Sequence, residues 1–272
     1  MKLRIGAVEY LNAKPLICDL SQLLPEAELV LEVPSRLADD LAAGRLDVGL
    51  IPVIEYFRGD GYWIVPEIAI ASYGPVLSVT LFARKPWLEL NSVALDEGSR
   101  TSAALARVLM EHRYQKNVEW LPLPLGASPE SSEADAVLLI GDRAMRAALP
   151  GFPFSYDLGR EWHEWTGLPF VYAVWVARSG VSKERLVPAL LEAKRRGMLR
   201  LAQIAWDESR RLGLDAAFCR RYLDTVIRYD LGPRELEGLR YFYRLACATG
   251  LAPPGKTIRI GEPKVVMDLS IH

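Results

Sequence analysis

The stretch LAAGRLDVGLIP, residues 41–52, joins the end of a helix to a buried strand. Gly44 is typical of a helix end, and the apolar run at 46–51 has the length and character of a strand covered on both faces. Asp47 is the one charge in that run. We expect it to be a hydrogen-bonded structural carboxylate rather than a catalyst, because buried acids usually have partners. Such a helix-to-strand unit is typical of α/β sheets.

Similar units recur on both sides of this stretch and predict an α/β fold with largely parallel sheets. Strands are expected at residues 3–8, 29–33, 46–51, 68–72, 76–84, 93–95, 134–140 and 170–177. Helices are expected at residues 13–23, 35–44 and 99–114, and the chain is mostly helical after residue 182. The order predicts two lobes, with residues 1–84 and 175–272 in the first and 85–174 in the second.

Two strand crossings, near residues 82–86 and 171–176, would then join the lobes. A ligand cleft is expected between them, with strand ends and helix N-termini pointing into it. The C-terminal helices are expected on the first lobe. This layout resembles the two-lobed type II periplasmic-binding-protein fold, and the Leu-Asp-Val-Gly segment is common in that superfamily.

Composition narrows the possible partners and the compartment. The 272 residues include 33 Lys and Arg against 34 Asp and Glu, and no basic stripe is present, so no nucleic-acid partner is expected. No apolar run is long enough for a membrane span, and the N-terminus lacks the apolar core of a signal peptide, so no membrane partner is expected. Cys18, Cys219 and Cys247 are scattered and odd in number, which indicates free thiols in a reducing compartment. These features predict a cytoplasmic protein.

A tryptophan-rich segment, residues 157–180, leaves two interpretations open. Trp162 and Trp165 share a helical face, and most such pairs belong to a core. The turn that follows is rigid and small, which is what a site for a flat ligand requires. It consists of Thr166, Gly167, Leu168 and Pro169.

Polar residues at predicted strand ends are candidates for ligand contacts. Asn12 follows the first strand and could either cap the next helix or present its amide to a ligand. Ser78 and Thr80 share one strand face and could bind a carboxylate or pair with a neighbouring strand. Ser99, Arg100, Thr101 and Ser102 begin a helix, where free N–H groups, hydroxyls and a guanidinium favour an anion. Gly141 and Asp142 form another strand-to-helix turn, and Gly141 permits close backbone approach.

Several kinds of catalytic motif are missing from the chain. Only His112, His163 and His272 are present, and no metal-ligand spacing, P-loop, dinucleotide motif or Ser-His-Asp arrangement occurs. We therefore expect no metal and no cofactor, and a reaction that depends on few titratable groups.

Six segments together resemble the chorismate dehydratase family of the futalosine route to menaquinone. They are VEYLNAKPL, RLDVGLIP, YGPVLSVTLFAR, ALDEGSRTSAALARVL, LIGDRA and DLGREWHEWTGLPFVYAVW, in the family's order. The resemblance implies that chorismate, a small-molecule substrate, loses water to give 3-[(1-carboxyvinyl)oxy]benzoate. It further implies that the substrate's own enolpyruvyl carboxylate takes the proton while Asn12 acts near the leaving hydroxyl. Ser78 and residues 99–102 would bind carboxylates, and Gly141, Asp142 and residues 166–169 would line the cleft.

Alternative functions share this fold. The sister activity, 1,4-dihydroxy-6-naphthoate synthase, requires a catalytic histidine in the second lobe, where only His112 and His163 are available. A solute-binding protein for a small carboxylate is the non-catalytic alternative, and the missing signal peptide counts against it. An effector domain of a transcription regulator would also fit the fold. The apolar C-terminal helices leave room for a homodimer.

Overall fold

Two mixed β-sheets organise the chain, which is described for residues 2–261 and 266–267 in a computed structural model. The first sheet has the order β11-β4-β10-β3-β1-β2. Its strands are β1 (Leu3–Ala7), β2 (Ala27–Leu31), β3 (Val48–Pro52), β4 (Tyr62–Ser72), β10 (Phe170–Arg178) and β11 (Ile227–Arg228). The second has the order β7-β6-β8-β5-β9. It consists of β5 (Val79–Ala83), β6 (Ser92–Asp96), β7 (Glu119–Leu123), β8 (Ala136–Ile140) and β9 (Phe154–Asp157). A separate pair joins β12 (Ile258–Arg259) and β13 (Val266–Met267).

Both sheets contain parallel and antiparallel strand pairs, so they are mixed and not largely parallel as the sequence predicts. β1 runs parallel to β2 and β3, and β6 runs parallel to β7 and β8. β10 is antiparallel to β3 and β4, and β5 is antiparallel to β8 and β9. β5 and β10 are the strands that the chain enters after passing from one sheet to the other. They begin at the edge where the parallel strands of their sheet end, and therefore run in the opposite direction.

The two passages between the sheets lie earlier in the chain than the sequence predicts. The chain leaves the first sheet after Ser72 and enters the second at Val79, and it returns between Asp157 and Phe170. Residues 79–83, expected in the first lobe, pair with β8 and β9, whereas β10 begins in the first sheet before residue 175. The apolar run at 76–84 shows that a strand is present but not which sheet it joins. We propose a two-lobe division that follows the sheets.

Helices connect the strands and cover the first sheet. They are α1 (Leu20–Leu23), α2 (Pro34–Ala42), α3 (Val53–Arg58), α4 (Arg100–Val108), α5 (Gly141–Arg146), α6 (Leu158–Thr166), α7 (Lys183–Leu199), α8 (Leu201–Leu212), α9 (Ala216–Arg221) and α10 (Pro233–Ala248). Wider π-turns, Leu109–Arg113 and Tyr222–Val226, extend α4 and α9. α7 packs on the loop after β1, and α10 packs on β10. None of the helices in the described part of the chain is long and apolar enough to cross a membrane.

The helix predicted at residues 13–23 is not continuous. Residues Leu11–Ile17 form a 3₁₀ helix with Pro15 inside it, and Asp19 adopts a left-handed φ of 56° before α1. Proline lacks the N–H that an α-helix needs at interior positions, so this segment tightens into 3₁₀ turns. By contrast, Asp47 behaves as the sequence predicts. Its carboxylate accepts a hydrogen bond from the backbone N–H of Arg4 at 2.8 Å.

The tryptophan-rich helix α6 is a packing element. Trp162 is fully buried, with its ring edge-on to Phe170 at 5.2 Å between centroids. Its indole N–H donates to the carbonyl of Pro169 at 3.2 Å. The core interpretation of this pair is therefore confirmed for Trp162, whose one polar group is satisfied inside the helix-to-strand junction.

Candidate active site

A cavity lies between the two sheets, where β1, β3 and β8 end and β5 and β10 begin, and its space of about 550 Å³ includes some open solvent. Its lining residues come from both sheets and from the helices that follow the strands. They are Val8, Tyr10, Asn12, Pro34, Leu50, Pro52, Ile70, Val76, Ser78, Val79, Ser99, Thr101, Ser102, Ile140, Gly141, Tyr172 and Ala173. A cleft at strand ends is the usual ligand position in α/β folds.

The cavity brings together six of the residues singled out in the sequence: Asn12, Ser78, Ser99, Thr101, Ser102 and Gly141. Within the described ranges, every residue that lines it is uncharged. An anion bound here would therefore meet hydroxyls, backbone N–H groups and a helix N-terminus rather than an ion-pair partner. Because the site is largely apolar otherwise, each such hydrogen bond is stronger than it would be in water.

Asn12 does not cap a helix. Tyr10 occupies the N-cap position of the 3₁₀ segment, and no side chain caps it. The side-chain oxygen of Asn12 is buried and has no hydrogen-bond partner among the described residues. A buried carbonyl oxygen without a donor costs about 1–3 kcal/mol, so this atom is suited to accept a hydrogen bond from a ligand. The structural alternative considered for Asn12 in the sequence is thereby removed.

The backbone next to Asn12 is held from the other side of the cleft. The N–H of Leu11 donates to the Asp142 carboxylate at 3.0 Å. Asp142 also pairs with Arg211 at 3.4 Å, and burial raises the pKa of the Asp142 carboxyl above its ordinary value of 3.8. Asp142 does not line the cavity, because its carboxylate points to the outer side of the Asn12 loop. Its contact in this part of the molecule is with the backbone of the loop that carries Asn12.

We expect Asp142→Ala to lower the free energy of unfolding by about 1–3 kcal/mol, because it leaves the buried N–H of Leu11 without an acceptor. Asp142→Asn keeps an acceptor oxygen and is the matched control. The raised pKa means that the folded state retains the proton to higher pH than the unfolded chain. The wild type should therefore lose stability relative to Asp142→Asn as the pH rises above 3.8. Urea unfolding across the acid range measures both effects, and equal stabilities of the two variants would contradict the assignment.

Ser78 is placed by a strained turn. Leu77, the residue before it, adopts a left-handed φ of 63°, which is unusual for an apolar side chain. The Asp157 carboxylate accepts hydrogen bonds from the backbone N–H groups of Val76 at 3.0 Å and Leu77 at 2.6 Å. It also caps α6 by accepting from the N–H of Arg160. The Asp157 carboxylate therefore binds the backbone of both segments that pass between the sheets, and it places Ser78 at the cavity.

The start of α4 supplies the largest group of hydroxyls. Ser99 precedes the helix, and Thr101 and Ser102 lie in its first turn, all three nearly buried. The Thr101 hydroxyl accepts a hydrogen bond from the N–H of Ile54 in α3 at 3.3 Å, across the cleft. The free N–H groups of the first turn and the positive end of the helix dipole favour an anion at this position.

Arg100, expected to bind an anion, does not line the cavity. Its guanidinium lies outside, 2.8 Å from Asp39 and 3.2 Å from Glu55. It joins α4 to α2 and α3 instead.

The turn at Thr166, Gly167, Leu168 and Pro169 also lies away from the cavity. Gly167 ends α6 in a left-handed conformation, and its carbonyl accepts from Arg234 at 2.9 Å. The Thr166 hydroxyl bonds to the carbonyl of Trp162 within the same helix. α10 lies directly against this turn, since a side chain at Gly238 would collide with Pro169. These residues connect α6 and α10 and do not line the cavity.

Tyrosines at the site were missed by the sequence analysis. Tyr10 lines the cavity over Gly141, whose φ is 59° and where an added Cβ would lie 3.0 Å from the Tyr10 ring. Tyr172 also lines it, and its hydroxyl bonds to Ser72 at 3.1 Å. A third, Tyr222, lies behind the lining and donates to Ser78 at 2.8 Å. The sequence gives only a weak indication of these tyrosines, namely that a buried tyrosine needs a hydrogen-bond partner for its hydroxyl.

The two histidines in the described part of the chain do not line the cavity. Neither His112 nor His163 is among its lining residues, and His112 bonds to Thr249 at 3.0 Å. The His163 ring packs on Tyr73 at 4.3 Å between centroids. Over residues 2–261 and 266–267, no group of three or more His, Cys, Asp or Glu side chains could hold a metal ion.

Comparison with known proteins identifies relatives along most of the chain. A family model described as menaquinone biosynthesis matches residues 3–248. The chain is 35% identical over 261 residues to the chorismate dehydratase of Thermus thermophilus, covering 88% of this chain and 93% of the relative. It is 30% identical over 255 residues to the chorismate dehydratase of Campylobacter jejuni, covering 91% and 99%.

Solved structures confirm the architecture. A crystallised Archaeoglobus fulgidus protein superposes with a TM-score of 0.74 at 20% identity, covering 92% of this chain and 98% of that one. The periplasmic aliphatic sulphonate-binding protein of Escherichia coli superposes with a TM-score of 0.63 at 16% identity, covering 99% and 95%. At these identities the likeness establishes the two-lobed periplasmic-binding-protein-like fold alone, as the sequence predicts.

Proposed function

Because the chain belongs to the menaquinone biosynthesis family and is an enzyme related to chorismate dehydratases, we propose that it is a hydro-lyase that acts on chorismate. The product would be 3-[(1-carboxyvinyl)oxy]benzoate, and the second product water. One observation supports this proposal most directly. The small cavity between the sheets combines an unpartnered buried amide oxygen on Asn12 with a group of hydroxyls at a helix N-terminus.

Neutral donors would bind the two carboxylates of chorismate. We assign one carboxylate to the start of α4, where Ser99, Thr101 and Ser102 present hydroxyls beside free backbone N–H groups. Ser78, which directly precedes β5 of the same sheet, is the donor for the other. A helix N-terminus provides positive potential without a basic side chain, so the site holds a dianion and still leaves the substrate carboxylate basic. An arginine in contact would lower that basicity.

The chemistry needs few protein groups, because forming the aromatic ring drives it. A ring C–H bond breaks and its proton passes to the enolpyruvyl carboxylate of the substrate. The electron pair stays in the ring, and the C–O bond to the ring hydroxyl breaks. The departing hydroxide takes up that proton and leaves as water. The protein contributes orientation and hydrogen bonds to the hydroxyl, and Asn12 is the catalytic residue.

Turnover of chorismate by the purified protein tests this proposal. The aromatic product is followed by absorbance and identified by chromatography against an authentic standard. Binding of chorismate is measured in parallel by calorimetry. Tight binding without product would contradict the dehydratase proposal and favour a carboxylate-binding protein. Absence of both would contradict either function.

We expect Ser102→Ala to raise KM for chorismate about tenfold with kcat little changed, because it removes one hydrogen bond of about 1.4 kcal/mol to a carboxylate that is bound throughout the reaction. Ser131→Ala is the control, since Ser131 is exposed and its hydroxyl bonds only to the carbonyl of Ser128. Steady-state kinetics of both variants give the comparison. A fall in kcat at unchanged KM would move Ser102 from binding to catalysis.

Two further expectations from the sequence stay proposals. We propose that the enzyme acts in the cytoplasm, supported by Cys18, Cys219 and Cys247, which are all free thiols. A homodimer would use the exposed apolar residues where α7 meets α8, with Leu199 74% and Trp206 56% exposed. The molar mass in solution tests the dimer.

A further inference from the structure

A second cavity adjoins the candidate active site. We call it the outer cavity and the active-site cavity the inner cavity. Loops that follow strands of both sheets line the outer cavity, such as those that carry Glu32 and Leu125. In the described part of the chain, the two cavities share two lining residues, Tyr10 and Ile140. The outer cavity therefore continues the cleft between the sheets, and these two side chains stand at the boundary.

The two cavities differ in exposure and in charge. Over the described ranges, no residue that lines the inner cavity is exposed and none is charged. The outer cavity is lined by exposed residues, among them Arg36, Arg146 and Arg211, and by further charged residues of both signs. The outer cavity thus opens to solvent, whereas the inner cavity is an interior space with a mostly apolar wall.

Tyr10 crosses the cleft from one sheet to the other. It follows β1 of the first sheet, and its ring packs on Gly141, which begins α5 after β8 of the second sheet. Gly141 has a φ of 59°, and an added Cβ there would lie 3.0 Å from Cδ2 and Cε2 of the Tyr10 ring. Glycine at this position therefore lets the ring lie directly against the backbone of the opposite sheet.

Hydrogen bonds hold the backbone of Tyr10 in place. Its carbonyl accepts from the N–H of Ala13 at 3.0 Å, and the N–H of the next residue, Leu11, donates to the Asp142 carboxylate at 3.0 Å. The hydroxyl of Tyr10, by contrast, has no hydrogen-bond partner among the described residues. The ring, and not the hydroxyl, is therefore the part of Tyr10 that forms the boundary between the cavities.

We propose that the Tyr10 ring is the wall that ends the inner cavity and limits the size of the acid that the enzyme accepts. The inference rests on the proposed dehydratase function. A diacid of the size of chorismate would bind behind the ring, whereas a diacid with a bulky substituent on its own ring would overlap it. Overlap with a side chain that is packed against both sheets disfavours the larger acid, which is one way in which a site rejects a ligand.

Binding of unreactive aromatic diacids tests the wall without any turnover. The short probe is 3-(carboxymethoxy)benzoate, which has the two carboxylates and the ether oxygen of the proposed product. Three long probes carry a benzyloxy group at ring position 4, 5 or 6 of the same molecule, so that the added bulk points in three directions. Calorimetry gives Kd for each probe, and the ratio of the long-probe Kd to the short-probe Kd measures the size limit.

We expect Tyr10→Ala to lower this ratio roughly 10- to 100-fold for at least one long probe, as relief of a steric overlap would. Tyr10→Phe is the matched control, because it keeps the ring and removes only the unpartnered hydroxyl. Its ratio should stay within a factor of about two of the wild type. Tyr10→Leu keeps part of the bulk and should give an intermediate ratio, and it provides the test if thermal melts show that the alanine variant does not fold.

The outcomes separate the wall from the proposed reaction. Ratios in the alanine and leucine variants that match the wild type for all three long probes would overturn the inference, as would an equal gain in Tyr10→Phe. A wild type that binds the short probe but does not convert chorismate would contradict the dehydratase proposal, while the ratios still decide the role of Tyr10. A wild type that binds neither chorismate nor the short probe would overturn both.

Discussion

Replacing Asn12 with alanine is expected to lower kcat for chorismate by roughly 100- to 1000-fold, the effect of removing one preorganised hydrogen-bonding group from a transition state. Asn12 lines the cavity, and its side-chain oxygen is buried without a hydrogen-bond partner among the described residues. KM should change much less, because the carboxylates of the substrate would be held by other residues. Steady-state rates of product formation measure both constants.

Asn117→Ala is the control for this experiment, since Asn117 is exposed and remote from the cavity. Asn12→Asp adds a sharper comparison. It preserves size, but a carboxylate has no N–H to donate and adds a negative charge beside a dianionic substrate. KM should then rise together with the loss of kcat. If Asn12→Ala kept its kcat within a factor of about three of the wild type, another group would be the catalyst.

The second large effect is expected on folding, for Gly197→Ala. Gly197 lies in α7 against Pro15 of the 3₁₀ segment that carries Asn12. A Cβ at residue 197 would lie 2.5 Å from the Cα of Pro15 and 2.6 Å from its carbonyl carbon. These are backbone atoms and cannot rotate away. Helix propensity alone favours alanine over glycine by about 1 kcal/mol, so steric overlap and propensity act in opposite directions here.

Steric overlap should dominate. Overpacking costs about 1–3 kcal/mol when side chains can move and more when backbone must shift, so we expect a loss of at least about 3 kcal/mol. For a chain of this size that corresponds to a fall in Tm of roughly 6–12 °C. The shift would also displace the Asn12 loop, so surviving folded protein should turn over slowly.

Gly151→Ala is the matched control for Gly197→Ala. An added Cβ at Gly151 meets no atom within 4 Å, so its stability should stay within about 0.5 kcal/mol of the wild type. Thermal melts of both variants give the comparison. A Gly197→Ala variant as stable as the wild type would show that α7 can move away from the 3₁₀ segment, against the close packing described here.

Position in the sequence singled out several residues that the structure brings to one cavity. Asn12, Ser78, Gly141 and the hydroxyls at the start of α4 were singled out because they follow or precede strands, and the structure brings them to one cavity. Two residues chosen as neighbours of these do not line the cavity. Arg100 lies outside in ion pairs with Asp39 and Glu55, and the Asp142 carboxylate accepts a hydrogen bond from the backbone N–H of Leu11.

Local patterns were enough to determine the α/β class, the main strands and helices and the family, because periodicity and short motifs are properties of neighbouring residues. Which sheet each strand joins was decided only in the tertiary structure, as the placement of residues 79–83 shows. The same is true of the contact between Tyr222 and Ser78, which are 144 residues apart, and of the one between Gly197 and Pro15. Such contacts depend on how whole elements pack, and no single segment of the sequence contains that information.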